Sequence, residues 1–139
     1  MQILIKNLQN KVPLYPLRIK RLIFNILKGE RVTESGCINI CFVNNTLIKK
    51  FNIQYLKNTS STDVLAFNLS DRKNNKILLA DIMISAETAI THARKFKTTP
   101  NYELMLYVAH GILHILGYDD RNNTEAKLMR KKEAVYVDR

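Results

Sequence analysis

Apolar and polar positions divide this chain into short strands and longer helical stripes. QILIKN (2–7) reads as an alternating strand. Pro13 and Pro16 punctuate the entry to a helix. From there Leu17, Ile19, Leu22, Ile23, Ile26 and Leu27 fall largely on one helical stripe, with Gly29 placed to close the helix. CINICFVNN (37–45) is a second strand, and TLIKKFNIQYL (46–56) carries Leu47, Ile48, Phe51 and Tyr55 at helical spacing. KNTSST (57–62) is a polar loop. DVLAFNL (63–69) and ILLADIMI (77–84) are a third and a fourth strand, joined by the turn cluster 70–76 and expected to pair as a hairpin.

Helices dominate the second half. Ser85 is a good N-cap, with Glu87 in the first turn of a helix over 85–96. Pro100 suits the first position of the next helix, 101–116, the most apolar of all, and Gly117 ends it. Asn122 or Asn123 starts a last, basic helix reaching about Val135. Strands mixed with helices predict an α+β class: one domain over 1–139, with a mixed four-stranded sheet flanked by helices.

Composition narrows the reading. A chain of 139 residues with a 46% hydrophobic share suits one core, and no apolar run is long enough to span a membrane. The start, MQILIKNLQNK, lacks the pattern of a signal peptide, so the cytoplasm is the expected compartment. Cys37 and Cys41 stand four apart in a strand-like run and should face one side of the sheet, as buried core thiols rather than a disulfide or a zinc pair.

Charge is the strongest global signal: 22 Lys and Arg against 12 acids give +10. The cations lie at Arg18, Lys20, Arg21, Lys28 and Arg31; at Lys49, Lys50 and Lys57; at Arg94, Lys95 and Lys97; and at Lys127, Arg130, Lys131 and Lys132. A phosphate-tracking surface explains them, and so do solvated helix faces in a lysine-rich chain. The partner class this defines is nucleic acid or an anionic membrane.

HGILHILGYDD (110–120) carries the candidate chemistry. His110 and His114 are one helical turn apart and project from one face. Gly117 lets the chain turn back, so that Asp120 can act as a third metal ligand, with Asp119 the competing neighbour. Three protein ligands leave a fourth position open, which is the catalytic arrangement. A metal there can bring the pKa of water toward ~7 and polarise a phosphoryl or carbonyl oxygen. Zinc proteases with this spacing place a glutamate directly after the first histidine; Gly111 stands there, so peptidase activity is disfavoured. His92 is read as a surface residue or as a support behind the ligands.

HGILHILGYDD resembles the signature HGxLHLxGYDH of the YbeY family of bacterial metal-dependent endoribonucleases. FNIQYLKNTSSTDVLAF resembles that family's LNxxYRxKDxPTDVLSF segment, and LLADIMISAETA its LGDIVISxETA segment, in the same order across residues 51–120. The resemblance implies a cytoplasmic protein with a helix-flanked mixed sheet. It implies one Zn²⁺ held by His110, His114 and Asp120, and single-strand-specific RNA cleavage in 16S rRNA 3′-end maturation and ribosome quality control, with rRNA and the small ribosomal subunit as partners. Departures are plain. The family's third ligand is usually His, and Asp120 is harder and anionic, which widens tolerance toward Mn²⁺ or Mg²⁺. Leu56 replaces a family Arg, leaving Lys57 or another base to hold phosphate. Thr59, Ser61, Ala66 and Ala80 also differ. No general base is evident, Tyr118 and Asp119 reading better as supports, and no RNA-stacking aromatic can be picked from Phe96, Tyr102 and Tyr107. Two other readings stand beside the nuclease: a non-catalytic ribosome- or RNA-binding factor with a structural metal, and a metal-dependent hydrolase of another substrate.

Overall fold

The computed structural model describes residues 1–56, 63–70 and 77–137, with Tyr55 and Leu56 described by their backbone alone. In chain order the elements are β1 (Gln2–Asn7), α1 (Pro16–Gly29), β2 (Ser35–Val43), α2 (Asn45–Leu56), β3 (Val64–Asn68), β4 (Ile77–Ser85), α3 (Ala86–Phe96), α4 (Pro100–Ile115) and α5 (Asn123–Tyr136). The expected loop 57–62, with Lys57, Thr59 and Ser61, and residues 71–76 of the expected turn lie outside the described residues. The class is the expected one, α+β with a mixed four-stranded sheet in the order β1-β2-β4-β3. β1, β2 and β4 run parallel, and β3 pairs antiparallel with β4, the hairpin the pattern predicts.

Register sorts the two faces. Ile3, Ile38 and Ala80 form one cross-strand row, Ile5, Ile40, Ile82 and Ala66 the next, and Phe42, Ile84 and Val64 a third. This face carries the main core, completed by Ile19, Leu22, Ile23, Ile26 and Leu27 of α1 and by Leu104, Tyr107, Val108, Ile112 and Ile115 of α4. The opposite face holds a smaller cluster of Val43, Ile48 and Leu65 under α2. Cys37 and Cys41 share this second face, as their spacing predicts, but only half-buried: the period of two sends Ile38, Ile40 and Phe42 to the deep side instead. Both thiols are free.

Helix ends refine the expectations. Ser85, Thr99 and Asn122 accept the amides of Thr88, Tyr102 and Glu125, capping α3, α4 and α5. Glu87 lies in the first turn of α3 as expected, and it also accepts the Asn45 amide at 2.9 Å, which supports the start of α2. Leu17 is 78% exposed, against the stripe expected for it. At 100° per residue it lies roughly 150° from the centre of the buried set. Gly29 is the last residue of α1, as expected, but it does not supply the left-handed turn. It lies in the last turn, where a Cβ would stand 2.8 Å from Cε1 of Tyr136. Arg31 takes the left-handed position at φ 57°, and the amides of Arg31 and Val32 return to Lys28 and Leu27 at 3.1 and 2.8 Å. Gly117 does behave as expected: at φ 107° it lets its own amide and that of Tyr118 return to His114 and Leu113, both at 3.0 Å.

At Gly111, α4 lies close against the sheet. A Cβ there would meet Ile82 Cγ2 at 3.0 Å and Val64 Cγ1 at 3.2 Å. The position therefore faces β3 and β4. Gly111→Leu should overpack this contact and destabilise the fold by about 1–3 kcal/mol, seen as a lower midpoint in thermal unfolding; an unchanged midpoint would show that the sheet gives way freely.

Candidate metal centre

The last turns of α4 are buried on the sheet side and open on the other. His110 and His114 therefore reach outward from a helix whose remaining neighbours, Gly111, Ile112, Leu113 and Ile115, are buried. Their rings meet edge to face, 4.8 Å between centroids at 75°. The C-terminal end of a helix carries partial negative charge, which favours a cation here. The left-handed turn at Gly117 then reverses the chain and brings Asp120 back over both rings.

Asp120 Oδ2 lies 3.6 Å from His110 Nε2, and Oδ1 lies 3.6 Å from His114 Nε2. Those separations are long for hydrogen bonds. They are close to the edge of a tetrahedron with metal–ligand bonds near 2.0–2.1 Å, about 3.3 Å. One donor atom from each of the three residues lies within 4.8 Å of the others, so the group can hold a metal ion. Asp120 is 46% exposed, which leaves the site open to a large substrate.

His110 has a partner absent from the sequence reading. Its Nδ1 meets Glu133 Oε1 of α5 at 2.6 Å. With Nδ1 donating to this carboxylate, Nε2 keeps its lone pair toward Asp120, the usual device for fixing a metal-binding tautomer. Burial disfavours a charged ring, but the hydrogen bond and charge of Glu133, helped by Asp120 and Asp63, win and raise the His110 pKa. Glu133 sits on the inward stripe of α5 with Met129 and Tyr136, and that helical spacing was the available signal. Its setting in a run of lysines hid it.

Asp119 is otherwise engaged. Its Oδ1 accepts the Asp120 amide at 2.8 Å and its Oδ2 faces Arg121 Nε at 2.5 Å. That backbone bond, then Arg121, hold its carboxyl below the usual range. His92 lies apart from the three: its Nδ1 pairs with the Tyr107 hydroxyl at 2.6 Å, and its ring packs edge-on to Phe96 and Tyr107. Tyr107 is itself buried core, while Phe96 is 56% exposed.

A second carboxylate holds the turn. Glu30, just past α1, accepts from the hydroxyls of Tyr118 and Tyr136 and from Lys132 Nζ, the last at 3.2 Å. Tyr118 follows Gly117 directly, so this contact anchors the segment that carries Asp120. Lys132 and Tyr136 flank Glu133 on α5, so the same carboxylate seats the helix that orients His110. Burial opposes the Glu30 charge, yet the three donors outweigh it and lower its pKa. Burial and Glu30 together push Tyr136 up to about 12, which keeps its hydroxyl a donor.

Fold and site define a class: an α+β protein whose central helix ends in a two-histidine, one-carboxylate group able to hold a metal. The chain belongs to the endoribonuclease YbeY family, whose profile matches residues 4–139. An endoribonuclease YbeY of Syntrophomonas wolfei is 30% identical over 146 residues, covering 96% of this chain and 93% of the relative. One of Syntrophus aciditrophicus is 35% identical over 138 residues, covering 96% and 86%. The solution structure of a Thermotoga maritima protein superposes with a TM-score of 0.68 at 29% identity, covering 98% of this chain and 87% of that one. Membership supports an endoribonuclease role, and hence a nuclease-type hydrolase acting on RNA.

Glu30→Gln removes the charge that three donors share. A loss of about 2 kcal/mol is expected at neutral pH, measured by denaturant unfolding. The sign with pH follows from the lowered pKa: the contribution is complete above the ordinary value of 4.5 and fades as pH falls through the lower folded value. Wild type and variant should therefore converge in acid; a gap independent of pH would mean that Glu30 does not act through its charge.

Proposed function

We propose that residues 1–139 act as one zinc-dependent domain cleaving single-stranded RNA, with His110, His114 and Asp120 as the ligands. The observation that carries this reading is the convergence of their three donor atoms within 4.8 Å at the open end of α4. When bound, the ion supplies Lewis acidity toward a phosphate oxygen and activates water. The chain's own groups do the rest. Glu133 holds the His110 ring so that Nε2 faces the site. Asp120 adds one negative charge where the family signature has a neutral imidazole, which makes Mn²⁺ or Mg²⁺ acceptable substitutes. Tyr118 is committed to Glu30, and Asp119 to Arg121 and the Asp120 amide, so neither is placed to take a proton from substrate.

The proposed substrate is rRNA, in maturation of the 16S 3′ end and in ribosome quality control, with the small ribosomal subunit as partner and the cytoplasm as setting. Motif resemblance across residues 51–120 supports this, as does the net charge of +10. No helix among the described residues is long and apolar enough to cross a membrane. A second reading, an RNA-binding ribosome factor with a structural metal, is favoured by one residue: Leu56 stands where the family has Arg.

Metal analysis of the untagged protein, paired with cleavage of single-stranded rRNA fragments, separates the two. Stoichiometric metal is expected, with cleavage abolished by chelator and reduced at least about 100-fold in Asp120→Ala, and with a modest change in melting temperature on metal removal. Bound metal and intact RNA binding without cleavage in any divalent ion would overturn the nuclease reading.

Glu133→Ala should retain the ligands but weaken metal affinity about 10–100-fold, measured by competition with a chromophoric chelator. Unchanged affinity would remove Glu133 from the site.

A further inference from the structure

Away from the metal centre, a groove of about 540 Å³ runs beside α1, the start of α4 and the end of α5. Arg18, Arg21 and Asn25 line it from α1, Asn101 and Tyr102 from α4, and Tyr15 from the residue just before α1. Arg18 and Arg21 are exposed, and neither has an acidic partner among the described residues. The first turn of α1 adds no acid, and no acid lines the groove among the described residues. Tyr15 is 48% exposed, with the Arg18 guanidinium 5.6 Å from its ring centroid. Tyr102 lies eight residues before His110, about 12 Å along the same helix.

We propose that this groove is a second RNA subsite, holding a stretch of the single strand away from the bond to be cut. The match is chemical. Guanidinium groups at i and i+3 share one helix face and pair with phosphate oxygens. A half-exposed tyrosine offers a stacking platform that accepts any base. Asn25 and Asn101 present both donors and acceptors, which suits base edges or ribose hydroxyls. An acidic peptide would use the arginines but has no need of the tyrosine platform, and that difference makes the occupant testable. A subsite on α4 also gives the open metal centre a way to favour flexible single strands: a strand must reach both places at once. The inference rests on RNA being the substrate and not on cleavage.

The test is fluorescence anisotropy with the full chain, metal-loaded, and a labelled 2′-O-methyl oligoribonucleotide of about twelve nucleotides, titrated across a salt series. Arg18→Ala with Arg21→Ala should weaken binding about tenfold or more. It should also flatten the salt dependence by about 1.4 in log–log slope, two phosphate contacts at 0.7 each. Tyr15→Leu should weaken binding several-fold and leave that slope unchanged. Lys49→Ala with Lys50→Ala removes equal charge from exposed positions on α2 and should do much less. All of these positions are exposed, so melting curves should match wild type. Equal effects of the arginine and lysine pairs would overturn the subsite in favour of net charge alone. Loss with the arginines but none with Tyr15→Leu would overturn it in favour of a bare anion or acidic-peptide surface. Binding by wild type and all variants alike would overturn it while leaving the nuclease reading intact. Failure of wild type to bind RNA would overturn both.

Discussion

The carboxylate of Glu30 joins the segments whose relative placement makes the candidate metal centre. It receives Tyr118 from the turn after α4 and Lys132 and Tyr136 from α5. Without it the two parts of the centre would be positioned independently. Asp120 would depend on the Gly117 turn, and Glu133 on packing of a mostly polar helix whose one fully buried residue is Met129. A charge-assisted acceptor with three donors couples them at a cost in desolvation that those donors offset. It can do so because the left-handed turn at Arg31 ends α1 beside the last turn of α5, where Gly29 leaves room for the Tyr136 ring.

The same economy appears in the sheet. Parallel β1, β2 and β4 present one face of Ile, Phe and Ala, and α4 lies on it closely enough that residue 111 has no space for a large side chain. This close approach fixes the backbone from which the two histidines project, and Glu133 then orients the His110 ring. The segment ISAETA (84–89) is structural by this account. Ser85 caps α3, Glu87 supports the start of α2, and Ala86 and Ala89 are buried.

Electrostatics divide the molecule between a local and a global role. The site concentrates negative charge, Asp120 and Glu133 around two imidazoles, where a divalent cation would sit. The chain as a whole carries a net charge of +10, which suits attraction of a polyanion such as RNA. A cation in the site would link the two, since the phosphate drawn by the surface is the group that a Lewis acid engages.

Much of this was legible in the chain itself. Period-two and helical patterns located the strands and helices, because a half-buried strand and an amphipathic helix each need a fixed spacing of apolar residues. The caps at Ser85 and Asn122 and the break at Gly117 could be read because short polar side chains and a positive φ have few substitutes. The interval between His110, His114 and Asp120 pointed to a metal for the same local reason: one helical turn, then a reversal. Other features depended on distance in sequence. Leu17 read as core and is solvated, because α1 is packed on one side only. Gly29 read as a helix stop and is the last residue of α1, but the Arg31 backbone makes the left-handed turn, and Gly29 also leaves room for the Tyr136 ring, 107 positions later. Cys37 and Cys41 read as buried and lie on the thinner face, since only the layering of helices decides which side of a sheet is deep. Glu30 carries no local signal, and Glu133 only its place on the inward stripe of α5. A carboxylate declares its role only when folding brings its donors to it, and for both residues those donors come from segments that the tertiary structure alone makes neighbours.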